Sequence, residues 1–217
     1  MKKKLGIIII TSLFIISIFL VAFFTILPRQ IYELNNSGTY TLTDVRGMAK
    51  TVEVNEKYND KDVTIVGIRA FYKNERIQKI ILPKTITKIE RLAFSECKNL
   101  KEINLLNVNM LERNSFSYCG SLTNINFNGK YIGASSFYGC ENLEDIGFGS
   151  NLIDIGSYAF AKTKIKKIIL PNTLKNISID AFADMPSLEE IDLYLSNIST
   201  GLDYINSLKN IKIVNLG

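Results

Sequence analysis

Leu100-Lys101-Glu102-Ile103-Asn104-Leu105, followed ten residues on by Ser115-Phe116-Ser117-Tyr118-Cys119, is a pattern that the chain writes repeatedly. Its anchor is a small residue before a phenylalanine: Ala70-Phe71, Ala93-Phe94, Ser115-Phe116, Ser136-Phe137, Ala159-Phe160 and Ala181-Phe182. The phenylalanines stand 23, 22, 21, 23 and 22 residues apart. Five residues before each sits an aliphatic: Val66, Ile89, Leu111, Ile132, Ile155 or Ile177. Nine after it sits Ile80, Ile103, Ile125, Ile146 or Ile191, while Ile168 arrives one residue early because its turn is shorter. Two further on come Leu82, Leu105, Phe127, Phe148, Leu170 and Leu193. Fixed periods of this length mark a repeat architecture.

The x-Ile-x-Leu segment alternates with period two, as a strand with one face inward does. One unit cannot bury its own Ile, Leu and Phe, but stacked units bury them against each other. The reading is therefore a solenoid of about seven rungs, mainly short parallel β-strands with turns and short helical segments. Pro83 and Pro171 follow strands directly, where the chain leaves the sheet. Leu208, Ile211 and Ile213 read as the seventh rung, with no Ala-Phe behind it. At the front, Val52 and Val54 read as the edge of a cap, and Val63 to Val66 lead into the first Phe. The solenoid with its cap is placed at 51–217. Residues 29–50 match no repeat, include Asn35-Asn36-Ser37-Gly38, and read as a spacer between membrane and solenoid, in part ordered where the cap begins.

Leu100-x-x-Ile103-x-Leu105 with Ser115-Phe116-x-x-Cys119-x-x-Leu122 resembles the BspA-type leucine-rich repeat of bacterial surface proteins and some protozoa. The resemblance covers roughly residues 50–215. It implies a right-handed solenoid with a parallel sheet on its concave face, used for adhesion or other surface recognition. Asn74, Thr163 and Met185 stand where the family pattern has Cys.

Ahead of the repeats, Lys2, Lys3 and Lys4 precede an uncharged run from Leu5 to Leu27, closed by Pro28 and Arg29. As a helix it would reach roughly 35 Å, enough for a hydrocarbon core of about 30 Å. Residues 1–28 therefore read as cytoplasmic lysines plus a single-pass transmembrane helix, with the solenoid extracellular. A cleaved signal peptide is the alternative and would make the chain secreted. It is less well matched, because bulky Leu20 stands two positions before Ala22 and spoils a small-x-small cleavage site.

Composition removes several chemistries. The 217 residues include no His, which excludes Ser-His-Asp and Cys-His nucleophile pairs, His-ligated zinc or haem, and an imidazole shuttle. Without the three leading lysines, the net charge of +5 falls to +2, with 23 basic against 21 acidic side chains. That is no footprint for nucleic acid. No G-x-G-x-x-G, P-loop or D-x-D-x-D-G spacing occurs, so neither a nucleotide cofactor nor calcium is expected. Cys97, Cys119 and Cys140 each lie three residues after a repeat Phe. Without C-x-x-C or nearby ligands they read as small buried hydrophobes, not as a metal or redox site.

What remains is a binding face. Outward residues before the inward Ile form one column: Lys79, Glu102, Asn124, Asp145, Lys167, Glu190 and Asn210. Those between Ile and Leu form another: Ile81, Asn104, Asn126, Gly147, Ile169, Asp192 and Lys212. Glu102, Asn104, Asn124, Asn126, Asp145, Lys167 and Asp192 are the candidate partner-binding residues, for a protein or glycan at the cell surface. Tyr118, Tyr131, Tyr138 and Tyr158, read as lying in turns, offer a second surface. The function expected is non-catalytic recognition by a membrane-anchored protein. The alternative is an envelope scaffold or accessory subunit that binds the cell's own membrane or wall components.

Overall fold

The computed structural model describes residues 28–208 and 211–217, so the apolar run from Leu5 to Leu27 lies outside the described residues. Among the described residues, no helix is long and apolar enough to cross a membrane. The chain enters through β1 (Arg29–Leu34) and β2 (Tyr40–Arg46), an antiparallel hairpin. The Asn35 Oδ1 atom closes its turn by accepting the Ser37 and Thr39 N–H groups at 3.2 and 3.1 Å. The next strands are β3 (Thr51–Glu53), β4 (Lys57–Tyr58) and β5 (Lys61–Val66), with β2 parallel to β5. The stretch expected as a spacer is thus largely built into the fold. Leu42 is fully buried, and Gln30 on β1 holds the rim of β3 by donating to Glu53 O at 2.7 Å and accepting Asn55 N–H at 3.2 Å.

Each following rung adds two strands: β6 (Lys79–Ile81) with β7 (Lys88–Ile89), then β8 (Glu102–Ile103) with β9 (Met110–Leu111). The same order continues through β10 (Asn124–Phe127), β11 (Tyr131–Ile132), β12 (Asp145–Phe148), β13 (Asp154–Ile155), β14 (Lys167–Ile169) and β15 (Asn176–Ile177). The chain ends with β16 (Glu190–Leu193), helix α1 (Leu202–Ser207) and β17 (Lys212–Asn215).

The x-Ile-x-Leu segments β3, β6, β8, β10, β12, β14, β16 and β17 make about eight turns, one more than the repeat count. Thr51–Glu53 is the added turn, with Val52 in register opposite Ile80. The aliphatics five residues before each Phe also lie on strands. They form a continuous parallel ladder, β5-β7-β9-β11-β13-β15, that the alternation of the sequence does not announce. Both ladders aim their Ile, Leu and Val inward, and most of these are no more than 2% exposed, Ile103 and Ile213 being only partly buried. Each such side chain contributes about 1.5–3 kcal/mol by leaving water.

The third face is made of turns. Two residues from each Phe, on either side, the backbone is left-handed, from Arg69 (+59°) and Lys73 (+58°) to Asp180 (+63°) and Asp184 (+52°). Alternating handedness sends every second N–H along the solenoid axis. Arg69, Phe71 and Lys73 N–H donate to Arg91, Ala93 and Ser95 O of the next rung, at 3.3, 2.8 and 2.9 Å. The intervening N–H groups of Ala70, Tyr72 and Asn74 bond inside their own turn. Inside, Phe71, Phe94, Phe116, Phe137, Phe160 and Phe182 stack with ring centroids 4.6 to 6.1 Å apart and planes within 17°.

Cys97, Cys119 and Cys140 are buried and unbridged. Each thiol donates to the Phe carbonyl one rung back, at 3.0, 3.0 and 3.1 Å. Burial pushes the Cys97 thiol up to about 12 and raises Cys119 well above its ordinary range, so both stay protonated.

The last rung differs from the sequence reading in register. Lys212 faces Glu190 and Ile213 faces Ile191, so the outward pair is Lys212 and Val214, two residues later than Asn210 and Lys212. The step from Ile191 to Ile213 is 22 residues, an ordinary repeat length, and helix α1 fits within it. Gly201 admits the helix with φ +96°, at a place where a Cβ would fall 2.1 Å from Ile177 O. Tyr204 then stacks beneath Phe182 at 6.4 Å, and its hydroxyl accepts the Phe182 N–H at 2.9 Å.

Ser115 and Ser136 occupy the small position before Phe, both without exposure. Ser136 Oγ donates to Gly133 O at 2.7 Å, whereas Ser115 Oγ is buried with no partner among the described residues. Ser115→Ala therefore stabilises the fold by about 1 kcal/mol, and Ser136→Ala destabilises it by about as much. Urea unfolding midpoints of the two variants should move in opposite directions; movement in the same direction contradicts this account.

Candidate binding surface

The outward faces of the x-Ile-x-Leu strands gather the seven candidate residues on one side of the solenoid. Register puts Glu102, Asn124, Asp145 and Lys167 in the column before the inward Ile. Asn126 and Asp192 fall in the column after it, and Asn104 follows Ile103 in the same place. Their side chains are not equally free to meet a partner. Asn104 turns its amide onto the backbone of Leu82, accepting its N–H at 2.7 Å and donating to its carbonyl at 2.9 Å. It thereby stands in for the strand pairing that β8 ends too early to supply. Glu102 is paired with Lys79 at 2.6 Å.

At the other end lies a denser network. Lys167 Nζ lies 2.5 Å from Glu190 and 2.7 Å from Asp192, and Lys212 Nζ lies 2.6 Å from Glu190. Asp192 is buried, and its Oδ1 has no partner among the described residues. Hydrogen bonds donated to Asp192 and then to Glu190 raise the Lys167 ammonium, while those accepted from Lys167 and then Lys212 lower the Glu190 carboxyl from an ordinary 4.5 to about 2. Between these paired ends, Asn124, Asn126 and Asp145 are exposed. Asp145 has no ion-pair partner among the described residues, and the Asn126 side-chain oxygen sits over Gly147, 2.4 Å from where a Cβ would be.

The ladder carrying these residues is interrupted. β8 and β10 share only the bridge from Leu105 to Phe127, and β12 and β14 do not pair at all. The second gap coincides with the rung that is one residue short between Phe160 and Ile168. There Lys164 N–H reaches Leu143 O at 2.9 Å. A cavity of about 420 Å³ opens at this seam, lined by Asp145, Ile146, Gly147, Phe148, Lys167 and Ile169.

Repeat, register and turn geometry agree with a known pattern. The family described as BspA type leucine rich repeat region matches residues 49–131 and 110–216, in six copies. The chain belongs to this family. Its fold is similar to that of the Treponema pallidum leucine rich repeat protein, TM-score 0.60 at 23% identity, covering 86% of this chain and 79% of that one. It is also similar to the pneumococcal vaccine antigen PcpA, TM-score 0.63 at 23% identity, covering 78% of this chain and 49% of that one. A leucine rich cell surface protein of Faecalibacterium prausnitzii matches with TM-score 0.56 at 19% identity, covering 77% and 54%. The chain thus spans about half the length of the last two. Comparison with curated proteins gives no match. BspA-type repeat proteins are generally found at cell surfaces, and repeat folds of this kind typically bind rather than catalyse.

The tyrosines divide. Tyr118 and Tyr138 meet edge to face at 5.4 Å on the turn side, with Lys162 Nζ 5.1 Å from the Tyr138 ring centroid. Tyr158 lies exposed in the next turn, whereas Tyr131 begins β11 and belongs to the other sheet. The turn-side group is thus three tyrosines rather than four.

Two outcomes follow from the geometry. Asn104→Ala leaves the Leu82 N–H and carbonyl without their side-chain partner and costs about 1–3 kcal/mol in urea unfolding, whereas Asn124→Ala changes stability by less than about 0.5 kcal/mol. Because its folded carboxyl titrates below its unfolded one, Glu190 contributes stability that is complete above pH 4.5 and lost as pH falls to about 2. Carboxyl-carbon NMR should find Glu190 ionised at pH 3.5 in the native protein and shifted toward 4.5 in Lys167→Ala/Lys212→Ala.

Proposed function

We propose that this BspA-type repeat chain is a non-catalytic recognition protein held at the membrane by the helix Leu5 to Leu27. In this reading the x-Ile-x-Leu face binds a protein or glycan at the cell surface, in the manner of an adhesin. The observation that carries it is the exposed centre of that face: Asn124, Asn126 and Asp145 lie side by side on paired strands, between two ion-paired ends. Amide and carboxylate side chains at a strand spacing of about 4.8 Å offer a partner rigidly placed donors and acceptors. The seven candidate residues keep unequal parts in it. Asn124, Asn126 and Asp145 make contacts, Glu102 and Lys167 flank them, and Asn104 and Asp192 hold the frame.

A second reading has support of its own. β1 begins at Arg29, two residues after Leu27, so the folded hairpin takes up the length that a spacer would have provided. A solenoid tethered so closely fits an envelope scaffold that binds neighbouring membrane or wall components.

One experiment tests both. The full chain in detergent micelles is presented to immobilised host matrix and cell-surface proteins, and to the producer's own envelope fraction. A variant carrying Asn124→Lys, Asn126→Lys and Asp145→Lys is run beside it. Saturable binding to host material that the variant loses supports adhesion through this face. Binding confined to the envelope fraction supports the scaffold. Binding that the triple variant retains removes the face from the reading, and binding to neither set defeats recognition as proposed.

A further inference from the structure

Along this face, the step between β12 and β14 has no strand pairing at all among the described residues. Elsewhere on this side β3-β6-β8, β10-β12 and β14-β16-β17 pair in parallel, and the Leu105–Phe127 bridge joins the first two groups. At the seam the facing edges of Asp145–Phe148 and Lys167–Ile169 do not pair, and a cavity of about 420 Å³ takes the place of the ladder. Its walls are apolar over much of their extent. Ile169 is 57% exposed, Phe148 is half-buried, and Gly147 contributes only backbone.

Charge at the seam is one-sided once the ion pairs are taken out. Lys167 is engaged by Glu190 and Asp192, and Glu190 also holds Lys212, so these two bases and two acids neutralise one another. Glu144 and Lys166, the exposed chain neighbours of Asp145 and Lys167, do not line the cavity and are opposite in sign. That leaves Asp145, an exposed carboxylate lining the cavity with no ion-pair partner among the described residues. A pocket with an apolar wall and one uncompensated carboxylate suits a long basic side chain. Its aliphatic stem lies on Ile169 and Phe148 while its charged head bonds the carboxylate. A guanidinium suits it best, because its planar fork meets a carboxylate with two parallel hydrogen bonds and leaves further N–H groups for open strand-edge carbonyls.

We infer that the seam between β12 and β14 is a subsite for an arginine side chain of a partner protein, with Asp145 as its anchor and Ile169 and Phe148 as its wall. This deepens the recognition proposed above and rests on the same face being the one that binds.

The probe is the peptide acetyl-Gly-Arg-Gly-amide, titrated into the full chain in detergent micelles and followed by the backbone amide signals of Gly147 and Gly149. Acetyl-Gly-citrulline-Gly-amide, which keeps the shape and loses the charge, is the matched control, and a neutral chitotriose the carbohydrate control. Saturable shifts are expected with the arginine peptide, and with citrulline an affinity about tenfold weaker. Asp145→Asn should weaken arginine binding by a similar factor. Glu33→Gln, an exposed acid on β1 in the opening hairpin, should leave it unchanged. Equal responses to arginine and citrulline, arginine binding that survives Asp145→Asn, or shifts produced only by chitotriose would each overturn the assignment. Absence of any shift would do the same. If the triple variant abolishes partner binding while Asp145→Asn alone does not, the face stands and the arginine subsite falls. If arginine binds at the seam but no partner from either set does, the subsite stands and the wider reading falls.

Discussion

Around each stacked Phe of the turns the backbone changes hand twice, and the rest of the solenoid depends on that alternation. It is costly at non-glycine residues such as Arg69, Leu92, Tyr118 and Tyr158, each of which holds a positive φ. What offsets the cost is alignment. With alternate peptide groups turned along the axis, each turn bonds the next as strands do, and the rings within are brought into stacking contact. The Cys thiols fit the same scheme by donating to Phe carbonyls one rung back. After β5, strands of two to four residues suffice on the other sides because the turns already fix the spacing.

Much of this was legible from the residues. The Phe spacing, the inward Ile and the trailing Leu named the solenoid and its core, and the family assignment agrees with them. The second ladder was harder to see. Each of its later strands is two residues long and carries one aliphatic, too little for an alternation to register. The opening hairpin hid for a related reason. It pairs antiparallel and follows no repeat, so Leu42 and Val45 gave no period, and Asn35-Asn36-Ser37-Gly38 resembled a linker. In the last rung Ile211 and Ile213 offered the same alternation two residues early, although the 22-residue step from Ile191 falls on Ile213. Tyr204 stands 22 residues after Phe182, at the repeat position of Phe, but Asp203 before it hides the small-residue-Phe pair that marks the other turns.

The binding face shows the same division between pattern and geometry. Column membership follows from counting by two and was visible at once. Which members are spent on structure was not, because Asn104 engages Leu82 and Lys167 engages Glu190 across rungs 22 and 23 residues apart. The one-residue shortfall before Ile168 could be counted in the sequence. That it coincides with an open strand pair could be learned only from the fold, since other turns also vary in length without breaking a ladder.

Gln30 and Tyr204 finish the stack at its two extremities, one by holding the rim of β3 and the other by accepting the last Phe N–H. The interior turns carry no such special chemistry; each meets its neighbours through the same backbone groups. The number of units is therefore a free variable. A whole unit of 21–23 residues can be gained or lost between the two terminators without inventing a new one. The reach of the molecule behaves like a ruler whose graduations are added from the middle.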